Sequence, residues 1–79
     1  MFTVYVLRSS ADGKRYIGCT ANLERRLSEH NSGKVKSTRN RRPLKLEYTE
    51  EFNSKTDALK REQFFKSHQG RNFLDSIEK

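Results

Sequence analysis

The tripeptide Tyr16-Ile17-Gly18, with Tyr5 eleven residues before it, constrains this chain more than any other feature. Residues 2–8 are rich in β-branched and aromatic types and read as a strand. Ser9 to Gly13 is turn chemistry, with Gly13 able to take a positive φ, and Lys14 to Cys19 is the return strand. In such a hairpin Tyr5 and Tyr16 are opposite or diagonal neighbours, close enough to touch. Gly18, two residues from Tyr16, lies on the same face and leaves a hollow where a backbone or ligand can come close.

The following segment supplies helical partners for that face. Asn22 is an N-cap for a helix over 23–30, and Gly33 is its stop. At 100° per residue, Leu23, Leu27 and His30 fall within about 60° of one another. Arg26 borders that stripe and, four residues before His30, can project with it. Arg25 and Glu29 form a separate, ordinary surface pair.

From Lys34 to Lys45 there are six basic residues (Lys34, Lys36, Arg39, Arg41, Arg42 and Lys45) and no acidic one. Pro43 marks this stretch as a loop leading into a strand. Leu44, Leu46 and Tyr48 alternate with Lys45, Glu47 and Thr49, which predicts a third strand with one buried face, closed by residues 50–53. Ser54-Lys55-Thr56-Asp57 resembles a capping box opening a second helix, about 55–68, with Ala58, Leu59 and Phe65 inward. Glu62 lies within that stripe, where a carboxylate has to be paired, metal-bound or at a pocket rim, because burying it bare costs too much. Gly70 ends this helix, and Phe73, Leu74 and Ile77 mark a short final one.

Composition sets the class. At 79 residues and 32% hydrophobic, the chain reads as one domain of modest stability, since a chain of this size buries only about 60% of its unfolded surface. Lys and Arg outnumber Asp and Glu by 17 to 10, a net charge of +7. Clustered as they are, these charges favour a polyanionic partner, nucleic acid first, over a merely solvated surface. No segment joins a basic face to a large apolar one, so a membrane is disfavoured. Cys19 is the only cysteine, which leaves no internal disulfide and no cysteine-based zinc site. Without the apolar run of a signal peptide or a membrane span, the expected compartment is the cytoplasm.

Taken singly, each polar residue has an ordinary explanation. His30 is a hydrogen-bonded core histidine, Arg26 covers apolar surface with its stem, Glu62 pairs with Arg26, and the tyrosines form a cross-strand pair. Together, two phenols, a guanidinium, an imidazole and a carboxylate are expected where the helices meet the sheet, and they suit phosphodiester hydrolysis. A carboxylate can hold Mg²⁺ or Mn²⁺ against a phosphate oxygen. An arginine can stabilise developing negative charge, and a phenol or imidazole can move protons. The basic loop would hold a nucleic-acid backbone without reading its sequence.

These residues resemble the GIY-YIG nuclease domains, in particular their small stand-alone members. Tyr16-Ile17-Gly18 is the second signature intact, and Thr3-Val4-Tyr5 is the first with its tyrosine kept. Arg26 and His30 stand in the phrase running from Asn22 to Gly33. The phrases Arg42-Pro43-Leu44-Lys45-Leu46 and Ala58-Leu59-Lys60-Arg61-Glu62 are also in family style. The resemblance implies an α+β fold, a three-stranded antiparallel β-sheet flanked by helices. It implies one divalent ion, Mg²⁺ or Mn²⁺, on Glu62, and DNA strand cleavage by water. Tyr5 is then the favoured general base, helped by His30; Tyr16 positions the phosphate or water, and Arg26 stabilises the transition state. Which phenol is the base stays open.

The sequence departs from the family pattern in the Thr3-Val4 that replaces a leading Gly-Ile, and in the asparagine that many members carry downstream of the glutamate. Asn72 is only a positional candidate and is left out of the site. No DNA-recognition domain is expected beside the module, so selectivity is expected to come from DNA shape or a partner protein, or to be low. The expected activity is a structure-selective or weakly sequence-selective DNA endonuclease of repair, recombination or nucleic-acid processing, with RNA left open as substrate. The alternatives are a catalytically weak binding module using the 34–45 loop and an adaptor for an acidic protein.

Overall fold

The structure, a computed structural model, describes residues 1–77. Strands β1 (Phe2–Ser9) and β2 (Arg15–Thr20) form the hairpin, and helix α1 (Leu23–Asn31) follows. A single 3-10 turn (Arg39–Arg41) then leads into β3 (Leu44–Phe52), α2 (Lys55–Lys66) and α3 (His68–Ile77). The sheet is antiparallel throughout, in the order β2-β1-β3. This is the α+β architecture expected from the sequence.

The central strand β1 explains the rest. Residues Thr3 to Leu7 are all buried because helices cover both faces of the sheet. Val4 and Val6 point to one side, against Ala58 and Phe65 of α2 and Leu74 of α3. Tyr5 and Leu7 point to the other, against Leu44 and the α1 residues Leu23 and Leu27. The local signals at the ends of α1 hold: the Asn22 side chain accepts from the Arg25 amide at 3.0 Å, and Gly33 takes φ +86°. In the hairpin turn, Gly13 takes φ +72°.

Three local expectations are corrected. First, β3 does not bury one face. Val6 pairs with Tyr48 but Leu7 pairs with Leu46, so Glu47 is an extra residue, a bulge. The bulge reverses the alternation: Leu44 packs on the α1 side, while Tyr48 meets Phe65 and Phe73 on the other. Leu46 is left 36% exposed. Second, Gly70 does not end α2. That helix stops at Lys66, Ser67 is extended, and Gly70 lies inside α3. A Cβ there would strike the Phe64 carbonyl oxygen and stand 2.5 Å from Phe65 Cα, so this glycine permits the close approach of α3 to the end of α2. Third, Leu59 is 43% exposed instead of entering the core.

Arg61 ties α2 to the sheet. Its guanidinium meets both oxygens of Glu50 on β3, at 2.7 and 3.2 Å, and lies 4.5–5.2 Å from the centres of the Phe64, Phe65 and Phe73 rings. Charge pairing and aromatic stacking by one planar fork fix the angle at which α2 crosses the strands. That crossing places Glu62, one residue on, beside the outer edge of β2.

Candidate active site

The site grows outward from Tyr5. Strand register pairs Tyr5 with Gly18 and Leu7 with Tyr16, so the two phenols are diagonal neighbours with ring centres 6.4 Å apart. The space left by Gly18 is filled by Tyr5 itself and not by a ligand. A Cβ on Gly18 would overlap the Tyr5 hydroxyl and stand 2.6 Å from Cζ. Glycine is therefore required for the Tyr5 ring to lie flat across β2.

Behind Tyr5, His30 is wholly buried. Its Nε2 is 2.9 Å from the Tyr5 hydroxyl and its Nδ1 is 2.8 Å from Thr38 Oγ1. Thr38, buried in the basic loop, donates in turn to the Val35 carbonyl at 3.5 Å. One assignment satisfies every group: Nδ1–H donates to Thr38, and Tyr5 O–H donates to Nε2. Burial, and then the nearby Arg26 charge, push the His30 pKa down, so the imidazole is neutral near pH 7 and can accept a proton. Burial also pushes the Tyr5 pKa up; the Arg26 guanidinium beside its hydroxyl opposes this without reversing it.

Arg26 reaches the Tyr5 hydroxyl from α1 and is held from its other side by Glu29 at 3.3 Å. The expected Arg25–Glu29 pair is also present, at 3.9 Å. Glu62 does not pair with Arg26. Its Oε2 accepts from Lys66 Nζ at 2.9 Å, one turn along α2, and its side chain is only 15% exposed. The five predicted residues do not share one sheet face. Tyr5, Tyr16 and the α1 residues lie on one side, and Glu62 comes from the helix on the other, reaching the site around β2. They meet at a hollow of about 400 Å³ lined by Tyr5, Tyr16, Gly18, Arg26, Leu59 and Glu62, with Lys55 at its margin. His30 stands behind this hollow and touches it through Tyr5.

The basic loop is partly committed to its own structure. Arg41 donates to Asp12 and to the Arg15 carbonyl, pinning the loop to the hairpin. Arg39 donates to the Gly33 carbonyl, and Arg42 donates to that of Arg39. Lys34 and Lys36 are exposed. None of these five lines the hollow. The loop's closest link to the site is Thr38, which nothing in the sequence distinguished from other polar loop residues. Lys66 was legible in principle, since it stands four residues after Glu62 on one helix.

The donor set can be tested against a divalent ion. Among the described residues there is no cluster of three or more His, Cys, Asp and Glu. Among the described residues Glu62 is the one carboxylate lining the hollow. Such a site does not suit a caged zinc or calcium ion. It does fit Mg²⁺ or Mn²⁺, which keep several waters and complete their shells with substrate phosphate. The Lys66 ion pair is a small obstacle, because a pair with a half-exposed lysine is worth about 0–1 kcal/mol.

Comparison with known proteins gives the family and matches the fold. The family model described as the GIY-YIG catalytic domain matches residues 1–74. A UPF0213 protein of Streptococcus agalactiae is 52% identical over 64 residues, covering 80% of this chain and 72% of that protein. One from Staphylococcus haemolyticus is 41% identical over 76 residues, covering 95% of this chain and 92% of that protein. Among solved structures, the UPF0213 protein of Bacillus halodurans, determined by NMR in solution, aligns with a TM-score of 0.60 at 38% identity. That alignment covers 98% of this chain and 85% of that one. The chain therefore belongs to the GIY-YIG catalytic domain family, with the small UPF0213 proteins among its relatives.

Proposed function

We propose that this protein is a metal-dependent DNA endonuclease that hydrolyses phosphodiester bonds with structural or weak sequence selectivity. The observation that carries the proposal is the Tyr5–His30 hydrogen bond opening onto a hollow shared with Arg26 and Glu62. A phenol whose proton already points at a neutral, buried imidazole can take a proton from water without becoming a permanent anion. As a water oxygen attacks phosphorus, its proton passes to the Tyr5 oxygen while the Tyr5 proton moves to His30 Nε2; the P–O bond to the leaving sugar oxygen breaks, and that oxygen takes a proton from solvent. Thr38 holds the ring in the tautomer this requires. Arg26 faces the charge that grows on the non-bridging oxygens, and Tyr16 borders the hollow where it can position the phosphate.

Glu62 would hold the ion, whose charge polarises a phosphate oxygen. Tyr5 is favoured over Tyr16 as base because it alone has the hydrogen bond to His30. The Lys34 and Lys36 side chains would engage flanking phosphates, while Arg39, Arg41 and Arg42 shape the loop that carries them. The cytoplasm remains the compartment we expect.

Nicking of supercoiled plasmid and of branched DNA with Mg²⁺ or Mn²⁺ tests this. Wild-type protein should cut; Glu62→Ala should lose cutting while keeping most of its DNA affinity. Cutting that survives Glu62→Ala in clean protein would sink the assignment. The Lys66–Glu62 ion pair favours one rival, a binding module whose carboxylate is already neutralised. It predicts salt-sensitive binding with no metal-dependent cleavage.

A further inference from the structure

The hollow described above is not the only one that Tyr16 borders. Around the outer edge of β2 lies a second, larger hollow of about 670 Å³, lined by Arg8, Lys14, Arg15, Tyr16, Lys66 and Arg71. Among the described residues no acidic side chain lines it, and Ile17 and Phe65 are its apolar members. Two of its cations are held in place from outside: Arg15 by Asp75 at 2.6 Å and Arg8 by Glu47 at 3.1 Å. Lys66 spans the two hollows, lining this one while its ammonium reaches Glu62 in the other. Lys14 and Arg71 are exposed and, among the described residues, enter no ion pair.

We infer that this groove is a backbone track for the nucleic acid flanking the candidate site, gripping phosphates through Lys14, Lys66 and Arg71. The inference rests on the nuclease reading for what enters the site, and adds where the chain goes next. Lys14 and Arg71, with Lys66 beside them, bring like charges along one groove that a polyanion can share, and releasing that polyanion's counterions then drives binding. The groove's continuity with the catalytic hollow at Tyr16 and Lys66 points to one ligand running through both. An acidic peptide would have no reason to follow that continuity. The groove is built from β2, α2 and α3, and the 34–45 loop meets it where Arg41 donates to the Arg15 carbonyl.

The test measures equilibrium binding of a short DNA duplex and of a single strand at several salt concentrations, using Glu62→Ala protein so that nothing is cut. Lys14→Gln/Arg71→Gln should reduce the slope of log affinity against log salt by about 1.8 on duplex and about 1.4 on single strand, two phosphate contacts in each case. Lys14→Arg/Arg71→Lys should restore the slope. Lys60→Gln, on the exposed face of α2, should leave it unchanged. An unchanged slope in the double variant, or an equal loss in Lys60→Gln, overturns the track in favour of diffuse attraction. Displacement of the duplex by polyglutamate as readily as by unlabelled DNA overturns it in favour of an acidic protein partner. If wild-type protein cuts DNA but the double variant binds normally, the track alone fails. If wild-type protein neither binds nor cuts, the nuclease reading fails with it.

Discussion

At the scale of single residues, the hydrogen-bonded line Thr38–His30–Tyr5 and the glycine beneath it make the sharpest demands. Gly18→Ala places a methyl group against the Tyr5 hydroxyl and Cζ, and should cost about 1–3 kcal/mol as overpacking; urea unfolding measures it. Thr38→Val leaves His30 Nδ1 without its partner and should cost about 1–3 kcal/mol in the same assay. The pH dependence has a definite sign. Because the folded His30 pKa lies below its ordinary value, the unfolded chain binds more protons between the two. The stability due to His30 is complete above about pH 6.5 and falls away as pH drops through the folded value. Urea midpoints should therefore decline below about pH 6.5 in wild-type protein, and more weakly in His30→Gln; equal declines would contradict the proposed protonation state. The tyrosines, Arg26, His30 and Glu62 were all legible from spacing and family style. Thr38 was not, because its role depends on a loop folding back over α1, which no local pattern encodes.

At the scale of elements, the strands and helices were legible where capping and alternation are local. Asn22 and Ser54 act as N-caps, and Gly13 and Gly33 take the positive φ that their positions require. The misread elements share a cause: their geometry is set by a distant neighbour. The β3 bulge is visible only in register with β1. Gly70 resembles a helix stop in sequence, yet its small size serves the packing of α3 on Phe64 and Phe65. This reverses the usual sign of a substitution. In an exposed helix interior, Gly→Ala gains about 0.5–1 kcal/mol; here Gly70→Ala should destabilise by about 1–3 kcal/mol, because the new methyl overlaps backbone that cannot rotate away. Thermal unfolding decides it, and a raised melting temperature would show that α3 sits differently on α2.

At the scale of the whole molecule, a sheet covered on both faces brings together residues from opposite layers only at an edge. That is why Glu62, on α2, can meet Tyr5 and Arg26, which belong to the α1 side, beside β2. Net charge of +7 said that a polyanion was the expected partner, but not where it would lie; several loop arginines turned out to brace the loop, and the basic groove beyond Tyr16 was invisible before folding. The central claim is that these groups form one site around a single ion at Glu62. Paramagnetic broadening of amide signals by substoichiometric Mn²⁺, recorded by NMR, tests it without needing a substrate. Broadening centred on Gly18, Arg26 and Glu62, and lost in Glu62→Ala, is the result predicted. Broadening centred elsewhere, or unchanged in Glu62→Ala, would contradict it.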